Sequence, residues 1–260
     1  MLTCRRAAVW LALGQVLAVA VAAPASAQPR PQPLTVFGAA DLAFAFREIA
    51  PLFEKATGTT VTLVLGSTGT LAKQIEHGAP ADVFFAANES FIEDLRQKGA
   101  IIRETRALYA QGRIVLATST KTGVTVSDLR DLVHPEIRRI AIANPAHAPY
   151  GRAAQEALEA AGLWERIRPK LVYGENIRHT LQFVETGAVE AGIVALSVAN
   201  VPEVRSVPID PKRHNPLNQM AAVVKRSPRP ELGLAFLAFV NGPEGRPIMK
   251  RYGFLLPGEF

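Results

Sequence analysis

The segments VFGAADLAF (residues 36–44) and VLGSTGTLAKQI (residues 64–75) share one pattern: an apolar run, a turn of small residues and the start of an amphipathic stretch. The apolar runs predict strands, and the helical spacing of Leu42 and Phe46 after the first turn predicts a helix. Two strand–turn–helix units in succession favour a parallel sheet with helices on its faces. The first of the two turns carries an acid, Asp41.

The alternation of apolar runs and amphipathic stretches continues to the end of the chain and forms two sets. We therefore predict an α/β protein with two lobes, joined by two crossings near Gly112–Arg113 and Met220–Val223. Lobe 1 comprises residues 28–112 plus 223–260, and lobe 2 comprises residues 113–222. A single larger sheet is the alternative architecture.

Residues 1–27 have the features of a signal peptide: a basic start, an apolar run and the small-residue sequence ASA at the end. We predict export and cleavage after Ala27. Cleavage removes Cys4, the single cysteine of the chain, and lowers the formal net charge of +6 by the two units of Arg5 and Arg6. An exported chain without a disulfide relies on its hydrophobic core, which a chain of this length can supply.

Several function classes lack the residues they need. The basic residues form no dense run, which argues against nucleic-acid binding. Lys73 has neither the preceding Gly nor the following Ser or Thr of a nucleotide phosphate loop, and no G-x-S-x-G motif is present. We predict no catalytic residues, no cofactor and no separate metal-ion site. The histidines show no metal-ligand spacing; they are His77, His134, His147, His179 and His214.

The turn GSTGT (residues 66–70) is suited to hold an anion. Its glycines allow close approach of a ligand to the backbone, and Ser67 and Thr68 add hydroxyl donors. The first turn of the following helix supplies N–H groups without internal partners at the positive end of the helix dipole. Ser67 and Thr68 are therefore candidate ligand-binding residues. The alternative is that either one simply caps the helix.

The segment GTLAKQIEHGAPADVFF (residues 69–85) resembles the periplasmic molybdate-binding proteins of ABC importers. The resemblance extends to IANPAHAPYGRAAQEALEAAGLW (residues 142–164), YGENIRHTLQFVETGAVEAGIV (residues 173–194) and KRYGF (residues 250–254). It implies a two-lobed periplasmic binding protein of the type II kind, with two crossing strands as the hinge and the ligand in the cleft. It also implies a monomer that delivers molybdate or tungstate to a permease in the inner membrane.

The resemblance assigns contacts to the oxyanion of molybdenum by position. The first falls at Asp41, where serine is commoner in the family, and the second falls at Thr68. Backbone contacts fall at Tyr150 and Ile177. A family tyrosine that donates to the anion aligns with Ala195, so that donor is missing here, and Tyr150 is the candidate to replace it.

Asp41 differs from the serine that is commoner in the family, and this difference affects the choice of ligand most, because a carboxylate repels a fully ionised dianion. Three arrangements are open. Asp41 turns its carboxylate away and offers only its backbone N–H, or it accepts a hydrogen bond from a protonated oxyanion such as hydrogen phosphate or a phosphonate, or it helps to hold a cation or another polar solute. The completeness of the family pattern favours the first arrangement. Remoter alternatives are a periplasmic hydrolase and an adhesin-like derivative of a binding protein.

Overall fold

The computed structural model describes residues 32–260, and the predicted signal peptide lies outside them. The strands of this part are β1 (Leu34–Ala39), β2 (Val61–Gly66), β3 (Val83–Ala86), β4 (Ala107–Gly112), β5 (Ile114–Ser119), β6 (Ile140–Ala143), β7 (Leu171–Gly174), β8 (Ala191–Ala195), β9 (Val204–Pro208) and β10 (Leu217–Val223). The helices are α1 (Ala43–Thr57), α2 (Thr68–Glu76), α3 (Glu89–Gln97), α4 (Pro149–Ala160), α5 (Trp164–Ile167), α6 (Ile177–Thr186), α7 (Leu196–Ala199), α8 (Pro230–Val240) and α9 (Gly245–Arg251). No helix among the described residues is long and apolar enough to cross a membrane.

The first sheet has the strand order β2-β1-β3-β10-β4. Strand β1 pairs in parallel with β2 and β3, while β10 pairs antiparallel with β3 and β4. Helices connect the parallel strands, because a short hairpin turn cannot join two strands that run in the same direction. We call this sheet the sheet of the first lobe. The carboxyl ends of β1, β2 and β3 meet at one edge of it.

The second sheet has the order β7-β6-β8-β5-β9 and forms the second lobe with its helices. Strand β6 is parallel to β7 and β8, and β5 is antiparallel to β8 and β9. Helices α4 and α6 begin after the carboxyl ends of β6 and β7. The predicted α/β fold with two lobes is thereby confirmed.

The chain crosses between the sheets twice. Arg113 alone separates β4 from β5, and residues 209–216 lead from β9 back to β10. The sequence placed the second crossing at residues 220–223, but these residues lie inside β10, where they pair with β3 and β4 of the first sheet. The C-terminal tail also returns to the first sheet, where Leu255 forms an antiparallel bridge with Gln111.

Helix α1 follows the pattern expected from its sequence. Phe46, Ile49 and Phe53 lie on one face and are buried because their spacing matches the helical period. Gly58 ends the helix with a φ of 70°, a left-handed conformation that glycine adopts without steric cost.

Aromatic rings form the centre of the first lobe. The Phe236 ring of α8 contacts Phe46, Phe53 and Phe85 edge to face, with ring centroids 5.6, 5.1 and 5.7 Å away. Phe236 is fully buried. Edge-to-face pairs of this kind stabilise a core beyond the area that they bury.

We expect Phe236→Ala to lower the free energy of unfolding by about 3–5 kcal/mol, because it removes a large buried ring and leaves a cavity. Leu234→Ala on the same helix is the matched control, since Leu234 is 47% exposed. Denaturant unfolding measures both. Equal effects of the two changes would contradict the assignment of α8 to this core.

Candidate anion-binding site

A cavity lies between the two lobes at the carboxyl ends of parallel strands from the first sheet. It contains about 200 Å³ of space not filled by atoms, part of it open to solvent. Crevices at this edge of an open α/β sheet are the usual place for a ligand. Its lining residues come from both lobes: Ala39, Ala40, Asp41, Gly66, Ser67, Thr68, Ala87, Ala148, Pro149, Tyr150 and Ile177.

The five residues predicted to bind the ligand all line this one cavity, although they are far apart in the sequence. Thr68 is the first residue of α2, Ile177 is the first residue of α6, and Tyr150 is the second residue of α4. Asp41 lies in a single 3-10 turn that leads directly into α1. Four helix starts therefore converge, and N–H groups in a first turn have no partner inside their helix. The roles of these residues toward a ligand stay predictions.

The Thr68 side chain retains a hydrogen-bond donor for a ligand. Its Oγ1 accepts a hydrogen bond from the backbone N–H of Ala87 at 3.1 Å. A hydroxyl that accepts in this way can still donate its own hydrogen. The N-terminus of α2 has no side-chain cap, since neither Thr68 nor the N-cap Ser67 bonds to the first-turn N–H groups.

Ser67 contacts the opposite lobe. Its hydroxyl donates to the backbone carbonyl of His147 at 2.6 Å, and the His147 Nδ1 lies 2.8 Å from the same Oγ. The Gly69 N–H donates to the same carbonyl at 2.9 Å. A Cβ at residue 69 would come within 2.7 Å of that oxygen, so the close approach requires glycine. The Ser67 hydroxyl hydrogen is thus engaged in a contact between lobes.

Asp41 takes part in a second contact between lobes. Its Oδ2 accepts hydrogen bonds from the Tyr150 hydroxyl at 2.9 Å and from the Gln219 amide at 2.7 Å. The same amide lies 2.9 Å from the Tyr150 oxygen. The Ser197 hydroxyl donates to the Asp41 backbone carbonyl at 2.9 Å. We call Asp41, Tyr150 and Gln219 the Asp41 network. It joins the first lobe, through Asp41 and through Gln219 of strand β10, to Tyr150 of the second lobe.

Two acceptors of the Asp41 network remain without a donor. The Asp41 Oδ1 and the Gln219 Oε1 are both buried and have no hydrogen-bond partner within residues 32–260. The N–H groups of Asp41 and Leu42 lie close enough to affect the carboxylate but not in a geometry that bonds Oδ1. A buried acceptor without a donor carries a substantial desolvation cost.

Burial dominates the ionisation of Asp41. The carboxyl group is fully buried, and this desolvation raises its pKa from 3.8 to about 6, although the hydrogen bonds from Gln219 and Tyr150 oppose the rise. Burial and the charge of Asp41 raise the pKa of the Tyr150 and Tyr109 hydroxyls well above the ordinary value. Both tyrosines are therefore neutral hydrogen-bonding groups at physiological pH.

Among residues 32–260, no Lys or Arg side chain lines the cavity. An anion here would be held by backbone N–H groups, helix dipoles and hydroxyls. Asp41 opposes such an anion. At about 4 Å and an effective dielectric constant of about 20, each pair of like unit charges costs about 4 kcal/mol. The three small neighbours Ala39, Ala40 and Ala87 bring no polar side-chain groups that could screen this charge.

Sequence reasoning missed two residues of the site. Gln219 is not among the residues singled out from the sequence, and its one visible signal is a polar side chain beside the apolar run MAAVV. The sequence analysis tests His147 only for metal-ligand spacing, which it lacks, whereas in the structure its backbone carbonyl accepts a hydrogen bond from the Ser67 hydroxyl. Ala195 does not line the cavity. Within the described part of the chain, no group of three or more His, Cys, Asp or Glu residues is arranged to hold a metal ion.

The raised pKa of Asp41 predicts how stability depends on pH. The pKa of Asp41 is about 6 in the folded protein, above the ordinary value of 3.8. The contribution of Asp41 to the free energy of unfolding is therefore complete below about pH 4 and is lost as the pH rises through about 6. The full loss corresponds to about 3 kcal/mol. Asp41→Asn removes this ionisation. In the absence of ligand, we therefore expect the free energy of unfolding of the variant, relative to that of wild type, to increase by about 3 kcal/mol from about pH 4 to about pH 8. Denaturant unfolding at both pH values measures this. A difference that stays constant with pH would contradict the burial of an ionisable carboxyl.

Most of the chain is similar in sequence to proteins of one family. The sequence profile of the bacterial extracellular solute-binding proteins matches residues 34–255. The molybdate-binding protein ModA of Azotobacter vinelandii is 34% identical over 228 residues, which cover 83% of this chain and 87% of that protein. ModA of Escherichia coli K12 is 34% identical over 233 residues, covering 86% of this chain and 89% of that protein.

A solved structure agrees with these sequence relatives. The periplasmic molybdate-binding protein of Azotobacter vinelandii superposes with a TM-score of 0.81 and 30% identity, covering 86% of this chain and 99% of that one. The relatives are named as binding proteins rather than enzymes. The chain belongs to the family of bacterial extracellular solute-binding proteins.

Proposed function

We propose that this protein captures a tetrahedral oxyanion, molybdate or tungstate, in the cavity between its lobes and delivers it to an ABC importer. The observation that carries the proposal is the convergence of four helix starts on a cavity that no cationic side chain lines. Such a site neutralises an anion with fixed dipoles and N–H donors. The names of the relatives support molybdate as the anion.

The remaining parts of the proposal concern location and partners. The protein is a periplasmic monomer without catalytic activity, its leader is removed after Ala27, and an inner-membrane permease receives the anion. The lobes predicted from the sequence are residues 28–112 plus 223–260 and residues 113–222, and sheet pairing moves β10 (Leu217–Val223) into the first lobe. Closing and opening of the lobes about the two crossings would capture and release the ligand.

In this proposal the anion receives N–H groups from the first turns of α2, α4 and α6 and the hydroxyl of Thr68. The site residues are Asp41, Thr68, Tyr150 and Ile177, with Ser67 acting mainly to hold the lobes together. A second candidate ligand, a protonated oxyanion such as hydrogen phosphate, is favoured by the Asp41 Oδ1, which lacks a donor.

Calorimetric titration of the exported protein with molybdate, tungstate, sulfate and phosphate tests the proposal, and we expect molybdate to bind. The Ile177→Pro variant makes the test specific to the backbone. Proline at the first position of a helix is tolerated and removes only an N–H group, and the extended Asn176 before it is compatible with proline.

Ile177→Ala is the matched control for this variant, because it removes the side chain and retains the N–H group. We expect Ile177→Pro to bind molybdate at least about 10-fold more weakly than Ile177→Ala, since a hydrogen bond to a charged group contributes about 1.5–3 kcal/mol. Equal affinities would exclude this N–H group from the site. Failure of all four anions to bind wild type would overturn the oxyanion function.

The Thr68 hydroxyl provides a separate prediction. Thr68→Val removes the donor, and we expect a loss in binding free energy of about 1.5–3 kcal/mol. Thr68→Ser keeps the hydroxyl and should bind close to wild type. Unfolding measurements on both variants separate the effect on binding from the lost hydrogen bond to Ala87. Wild-type affinity in Thr68→Val would show that the hydroxyl does not touch the anion.

A further inference from the structure

Asp41 combines three properties that an anion site does not ordinarily bring together. It lines the cavity, it is fully buried, and its Oδ1 has no donor among the described residues. No lining residue carries a positive charge that would offset the carboxylate. A hydrogen placed on or beside Oδ1 would both satisfy this acceptor and remove the repulsion toward an anion.

We propose that the site binds its oxyanion together with one proton, which is held between the Asp41 carboxylate and the bound anion. This inference rests on the proposed oxyanion function and specifies the class of ligand that the site selects. A fully ionised anion enters with a proton taken up from solvent, while a hydrogen-bearing anion brings its own. In the first case Asp41 and the anion together carry one negative charge less than they would as separate ions. In the second case the total charge is unchanged, and a hydrogen bond from the anion to Asp41 replaces a repulsive contact between two acceptors.

The cost of this proton is small beside the repulsion that it removes. With a pKa of about 6 in the ligand-free protein, roughly one Asp41 in ten is protonated at about pH 7. If only this protonated fraction binds the anion, the apparent affinity is about tenfold lower than that of fully protonated protein. Contact between an ionised Asp41 and a dianion would lower the affinity by several powers of ten, given the charge repulsion estimated for this cavity.

The groups around Asp41 leave it as the proton acceptor. From α4 and β4 it faces Tyr150 and Tyr109, whose raised pKa values keep them neutral, and from β10 it faces the uncharged Gln219. Strand β2 and helix α7, which also pack against its turn, carry no charged residue. On the other adjacent helices, Arg47 is exposed, Glu48 bonds to Arg251 and Tyr252, Arg178 pairs with Glu185, the His179 ring contacts Phe183, and Glu156 bonds to Asn215.

The Asp41 network explains how the proton could be accommodated without rearrangement. Tyr150 and Gln219 both bond to Oδ2, so Oδ1 can take a hydrogen while the contact between lobes persists. The same two donors fix the plane of the carboxyl group. Gln219 is therefore a positioning residue for the proton acceptor, although it does not line the cavity itself.

The test measures anion binding against pH by calorimetry, in pairs of buffers with different ionisation enthalpies, so that proton uptake is counted directly. Molybdate and sulfate serve as fully ionised probes. For wild type we expect uptake of close to one proton per anion at about pH 8, and an affinity that falls about tenfold per pH unit between about pH 6 and about pH 8. Below about pH 6 the free protein is already protonated, so the affinity should level off.

Asp41→Asn is the principal variant, because the amide keeps an oxygen for Tyr150 and Gln219 but cannot take up a proton. We expect no proton uptake, no dependence of affinity on pH, and tighter binding than wild type at about pH 8. His147→Asn is the control, because it removes the imidazole that contacts Ser67, a residue of the cavity lining. Its pH dependence should match that of wild type.

Three results would overturn the proposal, and each is distinct. Binding by wild type without proton uptake overturns the shared proton but leaves the oxyanion function intact. A pH dependence that disappears in His147→Asn and persists in Asp41→Asn moves the proton to the histidine. The absence of any anion binding at any pH overturns the oxyanion function and this inference with it. The buffer-pair measurement on wild type decides the question even if Asp41→Asn does not fold.

Discussion

The burial of one carboxylate without a cation is the constraint on which the centre of this molecule depends. Asp41 lies where strand β10 of the first lobe meets the second lobe, and it is fully buried. Each neighbour supplies a donor in place of a positive charge: the Tyr150 hydroxyl, the Gln219 amide and, toward the backbone carbonyl, the Ser197 hydroxyl. The hydrogen bonds from Gln219 and Tyr150 keep the pKa of Asp41 lower than burial alone would make it. All three donors connect parts of the chain that share no strand pairing.

The closeness of the lobes places strict limits on side chains around this carboxylate. A Cβ at Gly112 would come within 2.1 Å of the Tyr150 hydroxyl. Gly69 is limited in the same way by the His147 carbonyl. Both glycines lie where one lobe touches the other. Glycine is required there because the two lobes approach closely, and not because the backbone has an unusual conformation. Neither has the left-handed φ that marks Gly58 at the end of α1.

Polar contacts between the lobes contrast with the apolar cores inside them. Edge-to-face phenylalanine rings fill the first lobe, and aliphatic side chains of strands and helices fill the second. A core of this kind is rigid because its packing is dense. Contacts such as Ser67–His147 and Asp41–Tyr150 consist of a few hydrogen bonds, which water can replace if the lobes separate. The difference fits a protein whose lobes stay folded while the cleft between them opens and closes.

The sequence by itself determined the local elements, since the strand–turn–helix pattern depends on residues that are neighbours along the chain. It was sufficient for the α/β class, the two lobes and the helix starts at Asp41 and Thr68, and the resemblance added Tyr150 and Ile177. The tertiary structure alone decided where the Asp41 carboxylate bonds, because Gln219 is 178 residues and Tyr150 is 109 residues distant in sequence. It also decided that Ser67 bonds to His147 and that β10 belongs to the first sheet. Strand pairing and side-chain direction depend on contacts that periodicity cannot specify, so these features followed only from the folded chain.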